Sequence, residues 1–149
     1  KSPRSLFEKL ERKGLEIEIA SIYQITDMAG IRVICNYIDD VYAVASLLLK
    51  QDDIKLIRRR DYIKEPKESG YRSLHLVIEV PIFLSDRTYH MPVEIQIRTV
   101  AMDTWASLEH ELKYKRMEEM PEHVAQELKN CAKMMAELDD TMQSIHKML

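Results

Sequence analysis

The stretch VEIQIRTVAMDTWASLEHELKYK, residues 93–115, changes its apolar period in mid-course, and that change restricts the fold more than any other feature. Up to Arg98 the period is two. Val93, Ile95 and Ile97 fall on one face of a strand, and Glu94, Gln96 and Arg98 on the other. From about Val100 the spacing turns helical, with Met102, Trp105, Leu108 and Leu112 forming a stripe. A strand with one wet face that runs straight into an amphipathic helix needs a sheet to join and an apolar layer to cover.

The rest of the chain supplies both. SPRSLFEKLERK, residues 2–13, reads as a helix with Ser2 as N-cap, Pro3 in the first turn and Gly14 as terminator. A second short helix is expected over about 15–24. GIRVICNY is a β-branched strand, and the helix DDVYAVASLLLK follows with Asp39 and Asp40 at its positive end. IKLIRRRDYI is a strand, KEPKESG a loop, and RSLHLVIEVPIF a long strand whose Pro81 suggests an edge or a bulge. A final amphipathic helix is expected over about 121–148. Its apolar face would comprise Val124, Leu128, Cys131, Met135, Leu138, Met142 and Ile145. The order is two helices, strand, helix, three strands and two helices, which makes one α/β or α+β domain with helices covering a mixed sheet.

Several classes are disfavoured. Acidic residues number 25 and basic ones 22, a net charge of -3, which argues against a dedicated duplex-DNA partner. No stretch reaches the roughly 20 apolar residues of a membrane helix, and no signal peptide is visible. The two cysteines, Cys35 and Cys131, lack metal-ligand spacing and read as free thiols of a reducing compartment. With only three glycines there is no glycine-rich phosphate loop. If phosphates bind here, side chains must hold them.

Four groups could do so. Lys1, Ser5, Lys9 and Arg12 are spaced to share one helical face and could grip a triphosphate, although such rows also occur on solvated helices. Asp27 precedes the strand that carries Arg32, and Glu94 stands beside Gln96 and Arg98. Carboxylates among arginines fit a Mg²⁺–nucleotide site as well as a plain wet face. Arg58, Arg59 and Arg60, with Lys64 and Lys67, form a basic run in which Arg58 and Arg60 share a face and Arg59 opposes them. In SGYRSLH, Gly70 permits a tight turn. Tyr71 and His75 then share a face, where the tyrosine suits either a half-buried core ring or a platform for a base.

In their order, ITDMAGIRVIC, RRDYIKEPKESGYRSLH, VEIQIRT and AMDTWASLEHELKYK closely resemble the synthetase domain of RelA/SpoT-type alarmone synthetases, in their small stand-alone class. The resemblance covers about residues 1–116 and leaves 117–149 as a helical extension for packing or oligomer contact. It implies a nucleotidyltransferase-like fold with a roughly five-stranded mixed sheet. It also implies an activity: Mg²⁺-dependent transfer of the pyrophosphoryl group of ATP to the ribose 3′-OH of GDP or GTP, releasing AMP and ppGpp or pppGpp. Ser69 stands where the family often has Asn, and Thr104 where a bulkier residue is common.

By matching motif, the resemblance assigns Lys1, Ser5, Lys9, Arg12, Arg32 and Arg60 to ATP. Asp27 and Glu94 are assigned to Mg²⁺, with Glu94 as the alternative base toward the 3′-OH. Lys67 and His75 are assigned to the guanosine phosphates, and Tyr71 to stacking on guanine. Gln96 and Arg98 are lesser candidates. The class further implies a bacterial cytoplasm, a starvation or stress role, a homo-oligomer such as a tetramer, and (p)ppGpp as an allosteric ligand. The alternative reading is a silent module that binds guanine nucleotide or single-stranded RNA. A hydrolase of the H-D metal type is excluded, since none of the five histidines precedes an aspartate.

Overall fold

The structure is a computed structural model and describes residues 29–115 and 120–149. The helices expected over 2–13 and 15–24 therefore lie outside the described residues. In chain order the elements are β1 (Ala29–Cys35), α1 (Ile38–Leu49), β2 (Lys55–Asp61), β3 (Leu74–Phe83), β4 (Thr88–Thr99), α2 (Val100–Lys115) and α3 (Glu122–His146). The fold is α+β: a mixed sheet of order β1-β4-β3-β2 flanked by helices, with a long C-terminal helix. The sheet has four strands among the described residues, one fewer than the resemblance implies. Four is also the number of strands read from the sequence segment by segment.

β1 runs parallel to β4, while β3 is antiparallel to both β4 and β2. The alternation expected of β4 is realised. Val93, Ile95 and Ile97 pair with Ile78, Leu76 and Leu74 on one face, and all six are buried. Val41 and Ala45 of α1 close over that face. Burying each such side chain stabilises the fold by about 1.5–3 kcal/mol, so this layer fixes the register and leaves the opposite face of β4 for polar groups.

β4 starts at Thr88, five residues before the alternation becomes regular, because the β3–β4 hairpin stays paired out to Phe83 and Thr88. Pro81 sits in that hairpin opposite His90. β2 pairs no farther along β3 than Glu79, so the missing N–H of Pro81 costs no ladder bond on that side.

The two C-terminal helices depart from their expected faces. In α2, Met102 and Trp105 are buried, but Leu108 and Leu112 are about half exposed. In α3, the inward face is polar as well as apolar: Ala132, Asp139 and Gln143 are buried, while Leu138, Met142 and Ile145 face out. The reason is partner chemistry. Asp139 accepts a hydrogen bond from Thr99 Oγ1 at 2.8 Å. Gln143 Oε1 accepts one from the Asp39 amide at 2.9 Å and so caps α1, whose own N-cap residue Tyr37 makes no side-chain bond. Long-range bonds of this kind offset part of the cost of burying polar groups, so Asp139 and the Gln143 oxygen compete with the apolar stripe for the interior, although Gln143 Nε2 is left without a partner.

Candidate active site

The register sets four candidate residues in a row across the sheet. Arg32 of β1 pairs with Gln96 of β4, Gln96 with His75 of β3, and His75 with Arg60 of β2. Residues in register on neighbouring strands share a face, so all four side chains rise from the wet side. The next row places Gly30 beside Glu94, and Glu94 opposite Val77. Glycine at this point of β1 leaves open space next to Glu94, since a Cβ there would meet nothing nearer than the Glu94 carbonyl at 4.0 Å.

Two cavities open on this face and share Arg32 and Gln96. One, of about 220 Å³, is bounded by Gly30, Ile31 and Glu94. The other, of about 400 Å³, lies toward α2 and is bounded by Tyr71, Arg98, Ser107, Glu109 and His110.

Between them runs a continuous polar chain. The Glu94 carboxylate lies 3.5 Å from His75 Nδ1, and His75 Nε2 lies 2.8 Å from the Tyr71 hydroxyl. That hydroxyl accepts from Arg98 Nη2 at 2.9 Å, and the same nitrogen bonds the Gln96 amide oxygen. Arg98 Nη1 donates to Asp103 at 3.1 Å, and Asp103 also meets Arg32 at 3.3 Å. One assignment of protons satisfies every link. Arg98 donates to the Tyr71 oxygen, Tyr71 O–H donates to His75 Nε2, and His75 Nδ1–H points at Glu94.

This assignment makes His75 a neutral imidazole, and its surroundings agree. Burial lowers its pKa to about 4, assisted by the positive charges of Arg98, Lys67, Arg60 and Arg58. The Tyr71 ring lies among cations, with Lys67 Nζ at 4.9 Å from its centroid and the Arg98 guanidinium carbon at 5.3 Å. Lys67 is equally close to the Tyr62 ring, which stands edge-on to both Tyr71 and His75. Arg60 Nη1 donates to the Tyr62 hydroxyl at 3.2 Å.

The structure thus brings together Arg32, Arg60, Lys67, Tyr71, His75, Glu94, Gln96 and Arg98. Lys1, Ser5, Lys9, Arg12 and Asp27 lie outside the described residues. Arg98 is buried, with both terminal nitrogens engaged, so it holds its neighbours in place. Of the basic run, Arg59 points away as expected and pairs with Asp61 at 3.8 Å. Two site residues escaped sequence reasoning. Asp103 joins the two arginines. Its position in the first turn of α2, directly after a strand carrying Arg98, was the available signal. Tyr62 read as the last part of a strand, whereas β2 ends at Asp61.

The profile described as the region found in RelA/SpoT proteins matches residues 1–119 of this chain. The chain belongs to the RelA/SpoT family. Among its relatives in that family, the GTP pyrophosphokinase YwaC of Bacillus subtilis is 45% identical over 148 residues, which are 99% of this chain and 70% of that protein. The GTP pyrophosphokinase YjbM of the same organism is 40% identical, over 95% of this chain and 66% of its own length. Solved structures agree. The small alarmone synthetase 2 of B. subtilis superposes with a TM-score of 0.91 at 44% identity, covering 100% of this chain and 78% of that one. The B. subtilis small alarmone synthetase 1 bound to its product pppGpp superposes at 0.88 and 40%, covering 100% and 76%.

Proposed function

We propose that this chain transfers the β,γ-diphosphate of ATP to the ribose 3′-OH of GDP or GTP, giving AMP and ppGpp or pppGpp, in a bacterial stress response. The observation that carries the reading is the row Arg32–Gln96–His75–Arg60 with Glu94 beside it, flanked by two cavities that meet at Arg32 and Gln96. A row of this kind suits two polyanionic substrates placed side by side. Relatives over nearly the whole chain are GTP pyrophosphokinases, and one structural relative holds pppGpp.

The reaction breaks the bond between the β-phosphorus of ATP and the oxygen bridging it to the α-phosphate. It forms a bond from the 3′-oxygen to that phosphorus. The 3′-OH proton needs an acceptor, and that role is assigned to Glu94, about a quarter exposed at the mouth of the smaller cavity. The Nδ1–H of His75 fixes the orientation of Glu94. Arg32 and Arg60 neutralise ATP phosphate, and Lys67 meets the guanosine phosphates. A base stacking on Tyr71 takes the position that Lys67 occupies over the ring, which frees the ammonium for phosphate. His75, neutral and engaged at both nitrogens, serves the site by holding Tyr71 and Glu94.

Magnesium fits the donor set. One carboxylate facing phosphate oxygens is enough for an ion that fills its octahedron with substrate and water, and Asp27 precedes β1, the strand adjoining Glu94. The ion would offset charge on the transferred group. The test is transfer of label from γ-labelled ATP to GDP in the presence of Mg²⁺. Label in a guanosine tetraphosphate with matching AMP supports the reading, and Glu94→Gln should slow transfer by about 10²–10⁴-fold. Release of pyrophosphate with a nucleotidyl product would overturn it.

A further inference from the structure

The loop that carries Tyr71 is held from two sides. On the site side, Tyr71 meets Arg98 of β4 at 2.9 Å. On the far side, the residues that follow each of these in sequence, Arg72 and Thr99, meet the same buried carboxylate of α3. Asp139 Oδ2 accepts from Thr99 Oγ1 at 2.8 Å and from Arg72 Nη1 at 3.5 Å. Asp139 is 5% exposed, and Thr99 is fully buried. Thr99 also accepts the Met102 amide at 3.2 Å, so its hydroxyl caps α2 while its proton goes to Asp139.

Between these links the loop closes on itself, with Gly70 N–H donating to the Lys67 carbonyl at 2.8 Å and Lys67 N–H to that of Tyr71 at 3.1 Å. Within 66–73, the side-chain hydrogen bonds tying the loop to other elements are those of Tyr71, Arg72 and Ser73, and the Arg72 bond runs to α3. α3 itself lies beyond the residues that the family profile matches.

We propose that Asp139 is a positioning residue: from α3 it joins Arg72 to Thr99 and so fixes the Tyr71 loop against the end of β4 where the guanosine nucleotide binds. The nucleotide class rests on the function proposed above. Each partner is adjacent in sequence to a residue of the site, so a shift of the carboxylate moves Tyr71 relative to Arg98. Losses of this kind fall on binding of one substrate and leave the other untouched.

The experiment compares the full chain with Asp139→Asn, Arg72→Gln and the double variant. It reads amide hydrogen exchange over residues 66–73 and calorimetric binding of GDP and of ATP. Asp139→Asn should speed exchange in that segment and weaken GDP binding by about tenfold, as expected for displacement of a binding group by a fraction of an ångström. ATP binding should hold. Arg72→Gln should act in the same direction, and the double variant should be no worse than Asp139→Asn alone, because the Arg72 link to α3 runs through that carboxylate. Unchanged exchange over 66–73 overturns the clamp. Faster exchange with GDP binding intact overturns its role in positioning. Equal loss for both nucleotides shows a general structural effect and overturns it too. If the unmodified chain binds no GDP, the proposed function fails, and exchange alone decides whether Asp139 holds the loop.

Discussion

His75 shows how an environment chosen by the fold redefines a residue. In the sequence it is a histidine four positions after a tyrosine. In the structure, strand register puts it between Arg60 and Gln96, and burial keeps it neutral. With a folded pKa near 4, below the usual 6.5, the unfolded chain takes up a proton first as pH falls. Stability tied to this group is therefore complete above about 6.5 and is lost as pH drops toward 4. The loss is at most about 3 kcal/mol, and the Glu94 carboxylate beside Nδ1 reduces it by favouring the charged ring. Proton NMR should show an imidazole with a midpoint well below 6.5. Urea melts of His75→Gln should show a flatter decline in stability between pH 6.5 and 4 than the parent. A midpoint above 7 would mean that the ring is mostly charged at neutral pH and can hold phosphate directly.

At the scale of elements, the Tyr71 loop and α3 are fitted to each other at one point. Gly70 has φ of +96°, and a Cβ built on it would lie 2.5 Å from the Ala132 Cβ. Gly70→Ala therefore meets two obstacles, a backbone region unfavourable to side chains and a collision with α3. Urea denaturation should show a loss of about 2 kcal/mol or more. Adding Ala132→Gly should return the steric share and leave the backbone share. Full recovery in the double variant would mean that φ carries no cost. The sequence announced the turn, because glycine is scarce and this one follows a proline-opened loop. It did not announce that α3 packs there. The strands were legible in the same way, and in β4 the period of two set the wet and dry faces over residues 93–98. Helix orientation was not. The heptad-like stripe of α3 predicts that Leu138 and Met142 turn inward, yet Asp139 and Gln143 do so. Their partners, Thr99 and the Asp39 amide, lie 40 and 104 residues away, and no local pattern reveals such pairings. The link from Arg98 to Tyr71 was hidden for the same reason.

At the scale of the whole molecule, what α3 leaves outside matters as much as what it buries. Val100, Leu138, Met142 and Ile145 are each between 41% and 54% exposed, and a cavity of about 420 Å³ opens between α3 and the start of α2, bounded by Tyr37, Val100, Thr104 and Leu138. An exposed apolar face of this kind suits a protein partner. A 25-residue helix with an exposed apolar row is self-complementary when two copies meet about a two-fold axis, which suits a homo-oligomer. The apolar row and the site are also close in sequence on α3: Leu138 adjoins Asp139, the residue proposed to hold the Tyr71 loop. Association over this face would thus stiffen that residue's helix, which gives a physical route from assembly to guanosine binding. Light scattering coupled to size exclusion should find the parent chain as an oligomer at micromolar concentration. Leu138→Lys with Met142→Lys should give a folded monomer, because both side chains already face solvent in the single chain. GDP binding in that monomer should weaken while its circular dichroism stays unchanged. A parent chain that runs as a monomer would overturn the oligomer. A lysine variant that stays associated would place the contact on another face.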